Sequence, residues 1–164
     1  MKTMMKMMSL LLALVLMCAC FVGCSSAPAK PSGDESSTKP TEELTVNEQE
    51  VFAMLDLVDE LALGMKTTNQ QAVAKAAAML DMCEKTAVDD ATVAATAKKY
   101  YDTFGSEFRM MFDEKLRLVA EASESLRDEA TRAAKLQEAE VTSEGAWSAK
   151  AFDMVKAIYD SIKN

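Results

Sequence analysis

Histidine is missing from all 164 residues of the chain, and its absence removes much of the chemistry that a small protein can perform. Without imidazole there is no histidine general base at neutral pH, no Ser-His or Cys-His nucleophilic pair, and no zinc site built on imidazole nitrogen. The sequence also has no glycine-rich phosphate loop, no Cys-x-x-Cys pair and no nucleophile elbow. Proton transfer would therefore depend on carboxylates, lysines and tyrosines.

Carboxylates are abundant, with 26 acidic residues against 18 basic ones, so a glycosidase-like pair of acids is formally available. Their spacing favours a structural role instead. Opposite charges recur at every fourth residue in two sets, Arg109, Asp113, Arg117 and Glu121, and Asp128 and Arg132. Residues four apart share one face of a helix, so this pattern predicts a solvated face with ion pairs.

No metal or cofactor site is predicted. Asp89 and Asp90 are adjacent acids, but helix capping explains an acid at this point better than metal binding does. A calcium loop needs several converging acids and a central glycine, and the sequence contains no such loop. We therefore predict no catalytic residue, no metal ligand and no cofactor.

Cys83 is the one cysteine beyond the first 24 residues. It lies in helical register with Val73, Ala76 and Leu80, and free cysteine is among the most buried residue types. A redox or nucleophilic role would need a neighbouring cation to lower the pKa of the thiol, and Lys85 points to another part of the helix. The pattern predicts a buried, inert thiol.

Half of the ten aromatic residues are concentrated within 13 positions, at Tyr100, Tyr101, Phe104, Phe108 and Phe112. Together with the later aromatic residues Trp147, Phe152 and Tyr159, they can line an apolar pocket for a small ligand. Such a cluster more commonly fills the wide part of a helical core. The sequence leaves both interpretations open.

The start of the chain has the character of a secretion signal. Lys2 and Lys6 precede an apolar run from Met7 to Val22 that only Ser9 interrupts, and the run is short for a membrane-spanning helix. The alternative is a retained membrane anchor. A signal of this kind would deliver the rest of the chain outside the cytoplasm.

The end of this leader, Phe21-Val22-Gly23-Cys24, resembles the lipobox of bacterial lipoproteins. The resemblance covers the leader alone and implies that Cys24 is diacylglycerylated and becomes the mature N-terminus. Cys20, preceded by Ala19, is a second candidate, but the polar stretch begins directly after Cys24. Two acyl chains on one residue hold a protein stably on a membrane. By analogy with the family, Ser25 favours the outer membrane where a host has two membranes.

Composition divides the chain into three parts, a leader over 1–23, a lipid-bearing tether over 24–44 and a domain over 45–164. The tether contains all three prolines and almost no apolar side chains. We expect it to be disordered, because it buries too little apolar surface to offset the entropy lost on ordering. The domain has no proline, is rich in alanine and shows no alternating strand pattern. We predict an all-α fold, a bundle of four to five helices.

The helix starts follow from capping patterns. Thr45 with Glu48, and Thr68 with Gln71, fit capping boxes, Asp89 fits a third cap, and the last helix follows Thr142-Ser143. The first helix is predicted to carry its apolar face as far as Met65, with Gly64 near its end.

The fourth helix is predicted to begin at Ser106, after a break or kink at Gly105. The alternative is one continuous helix from Ala91 to Glu140, because the apolar stripe passes through Gly105 without a change of phase. An apolar seam indicates that the fourth helix continues without interruption to Gln137. The seam positions are Phe112, Leu116, Val119, Ser123, Leu126, Ala130, Ala133 and Gln137.

These features predict a lipid-anchored helical protein on the extracytoplasmic face of a cell membrane. We expect it to be non-enzymatic and to act by contact with another envelope or extracellular protein. The alternative is a carrier or sensor of a small apolar ligand in the aromatic cluster. The formal net charge of −8 argues against nucleic acid and anionic lipid headgroups as partners, and removal of the leader would make it −10.

Overall fold

The computed structural model describes residues 44–63 and 67–164. Within these ranges the chain forms six α-helices and no β-strand, which confirms the predicted all-α fold. The helices are α1 (Val46–Ala62), α2 (Asn69–Lys85), α3 (Asp90–Asp102), α4 (Ser106–Ser125), α5 (Glu129–Glu138) and α6 (Ala149–Lys163). The leader, Cys24, the tether up to residue 43 and the predicted end of the first helix at 64–66 lie outside the described residues.

The predicted caps of α1, α2 and α3 form as the local sequence requires. Thr45 accepts the backbone N–H of Glu48 at 3.2 Å, and the Glu48 carboxylate accepts the N–H of Thr45 at 2.9 Å. Thr68 and Gln71 make the same reciprocal pair at the start of α2. Each box satisfies two backbone donors that an unpaired helix end leaves open.

The break at Gly105 is confirmed, but it does not depend on the conformational freedom of glycine. Gly105 has φ −67° and ψ 166°, an extended conformation open to any residue, and an added Cβ would have free space around it. Arg109, in the first turn of α4, instead links the end of α3 to the start of α4. Its side chain donates to the carbonyl oxygens of Phe104 at 2.9 Å and Asp102 at 3.0 Å.

The long fourth helix of the sequence analysis is wrong, because α4 ends at Ser125 and α5 begins at Glu129. Asp128 starts α5 by accepting the N–H of Thr131 at 2.8 Å and its hydroxyl at 2.6 Å. An aspartate side chain bonds readily to nearby backbone N–H groups and is unfavourable in the interior of a helix. Asp128 therefore favours the N-cap position.

The predicted seam fails beyond this corner. Ala130, Ala133 and Gln137 are exposed, and Leu136 is the buried residue of α5. The corner turns α5 onto a different face of the molecule, so the spacing that holds along α4 no longer applies.

The hydrophobic core draws buried side chains from all six helices, with Leu136 as the contribution of α5. α2 packs against α1, α4, α5 and α6, while α3 packs against α1 and α6. The alanines Ala72, Ala76 and Ala77 of α2 are buried, and their small side chains allow the neighbouring helices to approach closely. The predicted start of the last helix directly after Thr142-Ser143 is wrong, because α6 begins at Ala149 with Ser148 as its N-cap.

The segment between α5 and α6 is non-helical and tightly held. Glu140 has a positive φ of 56°, and two hydrogen bonds close the end of α5, from Val141 N to Leu136 O at 2.8 Å and from Glu140 N to Gln137 O at 3.1 Å. This is the Schellman arrangement, in which glycine is the usual residue at the positive φ. At the other end of the segment, Ser148 donates through its N–H and hydroxyl to Glu84 at 3.2 and 2.5 Å.

Candidate functional site

The aromatic cluster forms where the end of α3 meets the start of α4. Tyr100 is fully buried and its ring centroid lies 5.0 Å from that of Phe104 and 5.7 Å from that of Phe112. Phe108 lies 4.1 Å from Phe104 and 5.6 Å from Phe112, and Tyr101 lies 6.2 Å from Phe112. The five rings therefore form one connected cluster, and all of these distances except that between Phe104 and Phe108 lie within the range of about 4.5–7 Å for favourable aromatic pairs.

Phe52 also belongs to this cluster, although it was not predicted there. Its ring stands at 80° to that of Tyr100, with centroids 4.9 Å apart. The signal was present, because Phe52 adjoins Val51 on the predicted apolar face of α1, but a single phenylalanine 48 residues before Tyr100 has no local feature that links the two.

Trp147, the sixth predicted residue, lies elsewhere. It precedes the first turn of α6, whereas Tyr159 near the end of α6 faces α4 beside Asp113. Ala149 and Tyr159 are ten positions apart, about 15 Å along the helix, so Trp147 is at the opposite end of the bundle. The guanidinium of Arg132 lies 5.6 Å from the Trp147 ring centroid and 5.8 Å from that of Phe152.

The Tyr100 hydroxyl is the most chemically distinctive group of the cluster. It donates toward Asp59 Oδ2 at 3.2 Å and Asp56 Oδ1 at 3.4 Å, both on α1. Burial, followed by the negative charges of Asp59 and Asp56, raises the pKa of Tyr100 far above its usual value. The phenol is therefore a neutral hydrogen-bond donor at any physiological pH and a poor proton source.

Tyr101 makes a similar but more exposed contact. Its hydroxyl donates to Asp113 Oδ2 at 3.1 Å, and the Arg109 guanidinium lies 5.3 Å from its ring centroid. Burial and the bond to Asp113 raise the pKa of Tyr101. Asp56, Asp59 and Asp113 were not predicted as partners of these tyrosines, because helical spacing identifies neighbours along one helix and not across two.

Cys83 is fully buried and carries a free thiol, as predicted. Its Sγ lies 3.5 Å from the sulfur of Met54 in α1. Burial, with a smaller contribution from Asp90, raises the pKa of Cys83 to about 12. A thiol that stays protonated at neutral pH is a weak nucleophile, so the environment is that of an inert core residue.

The charged face of α4 and α5 agrees with the prediction only in part. Arg117 pairs with Glu114 at 2.8 Å and with Glu121 on the exposed surface. Arg109 and Arg132, by contrast, are half-buried and bind backbone carbonyl oxygens at the two helix corners. They join consecutive helices and do not serve as solvated members of an ion-pair row.

Two surface grooves accompany exposed apolar side chains. The α1–α2 groove has a volume of about 400 Å³ and is lined by Val46, Gln49, Glu50, Ala53, Met54, Met82, Lys85 and Thr86. The α4–α6 groove has a volume of about 260 Å³ and is lined by Met110, Asp113, Glu114, Arg117, Tyr159 and Lys163. Within residues 44–63 and 67–164, the most exposed large apolar side chains are Val46, Leu63, Met110 and Met111.

Within residues 44–63 and 67–164, no group of three or more cysteine, aspartate or glutamate side chains is placed to hold a metal ion. None of the helices in the same ranges is both long enough and apolar enough to cross a membrane. No protein-family model, curated protein or solved structure matches the chain.

Proposed function

We propose that this chain is a lipid-anchored protein of the extracytoplasmic face of a cell membrane and acts non-enzymatically, by binding another protein of the envelope or its surroundings. The anchor part of the proposal depends on the lipobox-like leader ending at Cys24 and the polar tether that follows it. Twenty tether residues would let the domain reach roughly 25 Å as a flexible coil.

The exposed apolar side chain beside the α1–α2 groove is the observation that carries the binding part. Val46 is 71% exposed, and the apolar groups of Ala53 and Met82 continue from it into the groove. A concave apolar surface at the edge of a charged helical domain is the usual form of a docking site for a partner side chain.

The chemistry of the buried groups is consistent with a binding role. The two groups whose ionisation is most strongly perturbed are Tyr100 and Cys83, and both are held neutral by burial. Neither has the pKa near neutrality that suits a general acid or base. For the alternative, a carrier of an apolar ligand, the contacting rings of Tyr100, Phe104 and Phe112 would first have to separate.

Two measurements on the native protein test the proposal. Mass spectrometry of material from bacterial membranes is expected to find Cys24 as the N-terminal residue with a diacylglyceryl group, and a free Cys24 or retained Met1 would refute the anchor. A photocrosslinker in place of Val46 is expected to trap one defined protein in intact cells. The same crosslinker at exposed Ala95 on α3 is the matched control. Equal capture at both positions would contradict a specific binding role.

A further inference from the structure

The α1–α2 groove is built as a helix-facing surface. Its α1 wall consists of residues spaced i, i+3, i+4 and i+7, which are Val46, Gln49, Glu50 and Ala53, and its α2 wall consists of Met82, Lys85 and Thr86. Met54, 1% exposed, lies at the floor. Partner helices that bind in grooves present side chains at the same spacing.

Glu50 is a fixed negative charge on the rim. The Thr86 hydroxyl, on a residue only 8% exposed, donates to Glu50 Oε2 at 2.8 Å and holds the carboxylate in place. Among the described residues, no lysine or arginine forms a salt bridge with Glu50. Lys85 on the opposite wall is occupied, because its ammonium pairs with Asp81 at 2.6 Å.

The helix that carries Glu50 has acidic residues and no basic one, and two of these acids, Glu48 and Glu60, pair with Lys99 of α3 and Lys75 of α2. The five acidic residues of α1 are Glu48, Glu50, Asp56, Asp59 and Glu60. A ligand in the groove therefore meets apolar surface at the floor and a negative potential at the α1 rim. A lysine or arginine beside an apolar anchor is the side-chain pair that complements both.

We propose that the α1–α2 groove binds a basic amphipathic helix of a partner protein, which inserts an apolar side chain over Met54 and places a lysine or arginine against Glu50. This inference rests on the binding role proposed above and names its surface and the chemistry of its partner. A volume of about 400 Å³ suits one or two anchoring side chains. A second copy of this chain would bring the same net charge of −8 and a second acidic α1, so electrostatics disfavours it as the occupant.

The α4–α6 groove does not offer the same complementarity. Its charged side chains already have partners within the molecule, since Arg117 binds Glu114 at 2.8 Å, and Lys163 donates to the Tyr159 hydroxyl at 2.7 Å. The groove nevertheless provides an internal control, because Met110 lies there just as Met54 and Met82 lie in the α1–α2 groove.

The test uses the full-length chain in nanodiscs of neutral phosphatidylcholine, with methyl-labelled methionine followed by NMR. The probe is an 18-residue amphipathic peptide of leucine and lysine, and the control peptide has glutamate in place of lysine. We expect the lysine peptide to shift the methyl resonances of Met54 and Met82 and to leave Met110 and Met111 unchanged. Shifts confined to Met110 and Met111, or no shift at all, would overturn the proposal.

Two matched pairs of exposed substitutions test the shape of the groove and the charge on its rim separately. Ala53→Gln fills the groove without adding charge and should weaken peptide binding about tenfold, whereas Ala95→Gln on α3 should not change it. Glu50→Gln should weaken binding about three- to tenfold, whereas Glu144→Gln removes the same charge from the loop before α6 without effect. Equal effects within either pair would show that the peptide responds to net charge or bulk alone, and would contradict the groove as the site.

These experiments can contradict the groove proposal without contradicting the proposed function, and the reverse. A lipidated Cys24 and a defined crosslinked partner, together with peptide shifts outside the groove, would leave the function standing and remove this inference. Peptide shifts in the groove, together with a chain that carries no lipid at Cys24, would support the groove inference and remove the lipid anchor. Methionine resonances that move with protein concentration before any peptide is added would identify a second copy as the occupant and overturn the proposal.

Discussion

Arg132 Nε donates a 2.6 Å hydrogen bond to the carbonyl oxygen of Leu126, so a residue in the first turn of α5 closes the end of α4. Its second donor reaches Arg127 O at 3.1 Å, and its guanidinium faces the rings of Trp147 and Phe152. Arg109 makes the equivalent corner between α3 and α4, with Tyr101 as its aromatic partner. Both corners satisfy carbonyl oxygens that the end of a helix leaves without intrahelical donors.

Replacement of Arg132 by alanine is expected to lower the free energy of unfolding by about 1.5–3 kcal/mol, because it removes charge-assisted bonds to backbone and the cation–π contacts. Arg117→Ala is the matched control, since Arg117 binds exposed carboxylates only, and its loss should change the free energy of unfolding far less. Urea unfolding followed by the fluorescence of Trp147, the only tryptophan, measures both. If the two variants lost equal amounts of unfolding free energy, the Arg132 corner would contribute no more to stability than a surface ion pair.

Glu140→Gly is expected to stabilise the protein by about 0.5–1 kcal/mol. Glu140 has a φ of 56°, and a side chain in the left-handed region costs about 1–2 kcal/mol that glycine does not incur, although glycine gains more entropy in the unfolded chain. Glu138→Gly, in the last turn of α5, should instead destabilise by about 0.5–1 kcal/mol. Thermal unfolding of the two variants should thus shift in opposite directions, and a shift of the same sign would be inconsistent with strain at Glu140.

Phe112→Ala is expected to cost about 3–5 kcal/mol of stability, because the ring is fully buried and contacts Tyr100, Tyr101 and Phe108. Phe108→Ala should cost about half as much, since Phe108 is only partly buried. Denaturant unfolding gives both values. If the cluster were instead an open ligand pocket, truncation of Phe112 would cost little in the ligand-free protein.

Cys83 should make stability depend on alkaline pH. Its pKa is raised to about 12 in the folded protein, above the ordinary value of 9.0, so the folded state binds the thiol proton more tightly than the unfolded state does. The resulting stabilisation is fully present below pH 9 and is lost as the pH rises toward 12. Comparison of the chain with Cys83→Ala isolates this contribution, since the variant lacks the thiol but keeps Tyr100 and every lysine.

The same burial should protect the thiol from modification. Maleimide labelling at pH 8, mapped to Cys83 by mass spectrometry, is expected only after denaturant is added. Labelling of Cys83 in the folded protein at the rate of a free cysteine would contradict its placement in the core.

Local sequence was sufficient for the features that depend on residues three or four apart. The starts of α1, α2 and α3 follow from Thr45, Thr68 and Asp89, whose side chains bond to the third residue along the chain. The burial of Cys83 follows from its register with Leu80. These features require no knowledge of another helix, because the bonds and the shared face lie within one segment.

The end of α4 was not predicted, because two stabilising arrangements compete there. An uninterrupted apolar seam favours one helix through Leu126, whereas Asp128 favours a new start. Arg132 closes the corner through bonds to Leu126 and Arg127, and its guanidinium lies against the rings of Trp147 and Phe152, which come from beyond α5. A periodic pattern carries no information on those partners.

An all-α domain, its first capping sites and a core thiol follow from the sequence, because helix propensity, capping and amphipathic spacing act over a few residues. The packing of the helices sets the remaining relationships: Trp147 lies apart from the other five predicted residues, Phe52 and two aspartates of α1 meet Tyr100, and Glu50 borders an apolar groove. These relationships join residues on different helices. Their geometry depends on how whole helices pack, and that packing is settled by the sum of many contacts across the core.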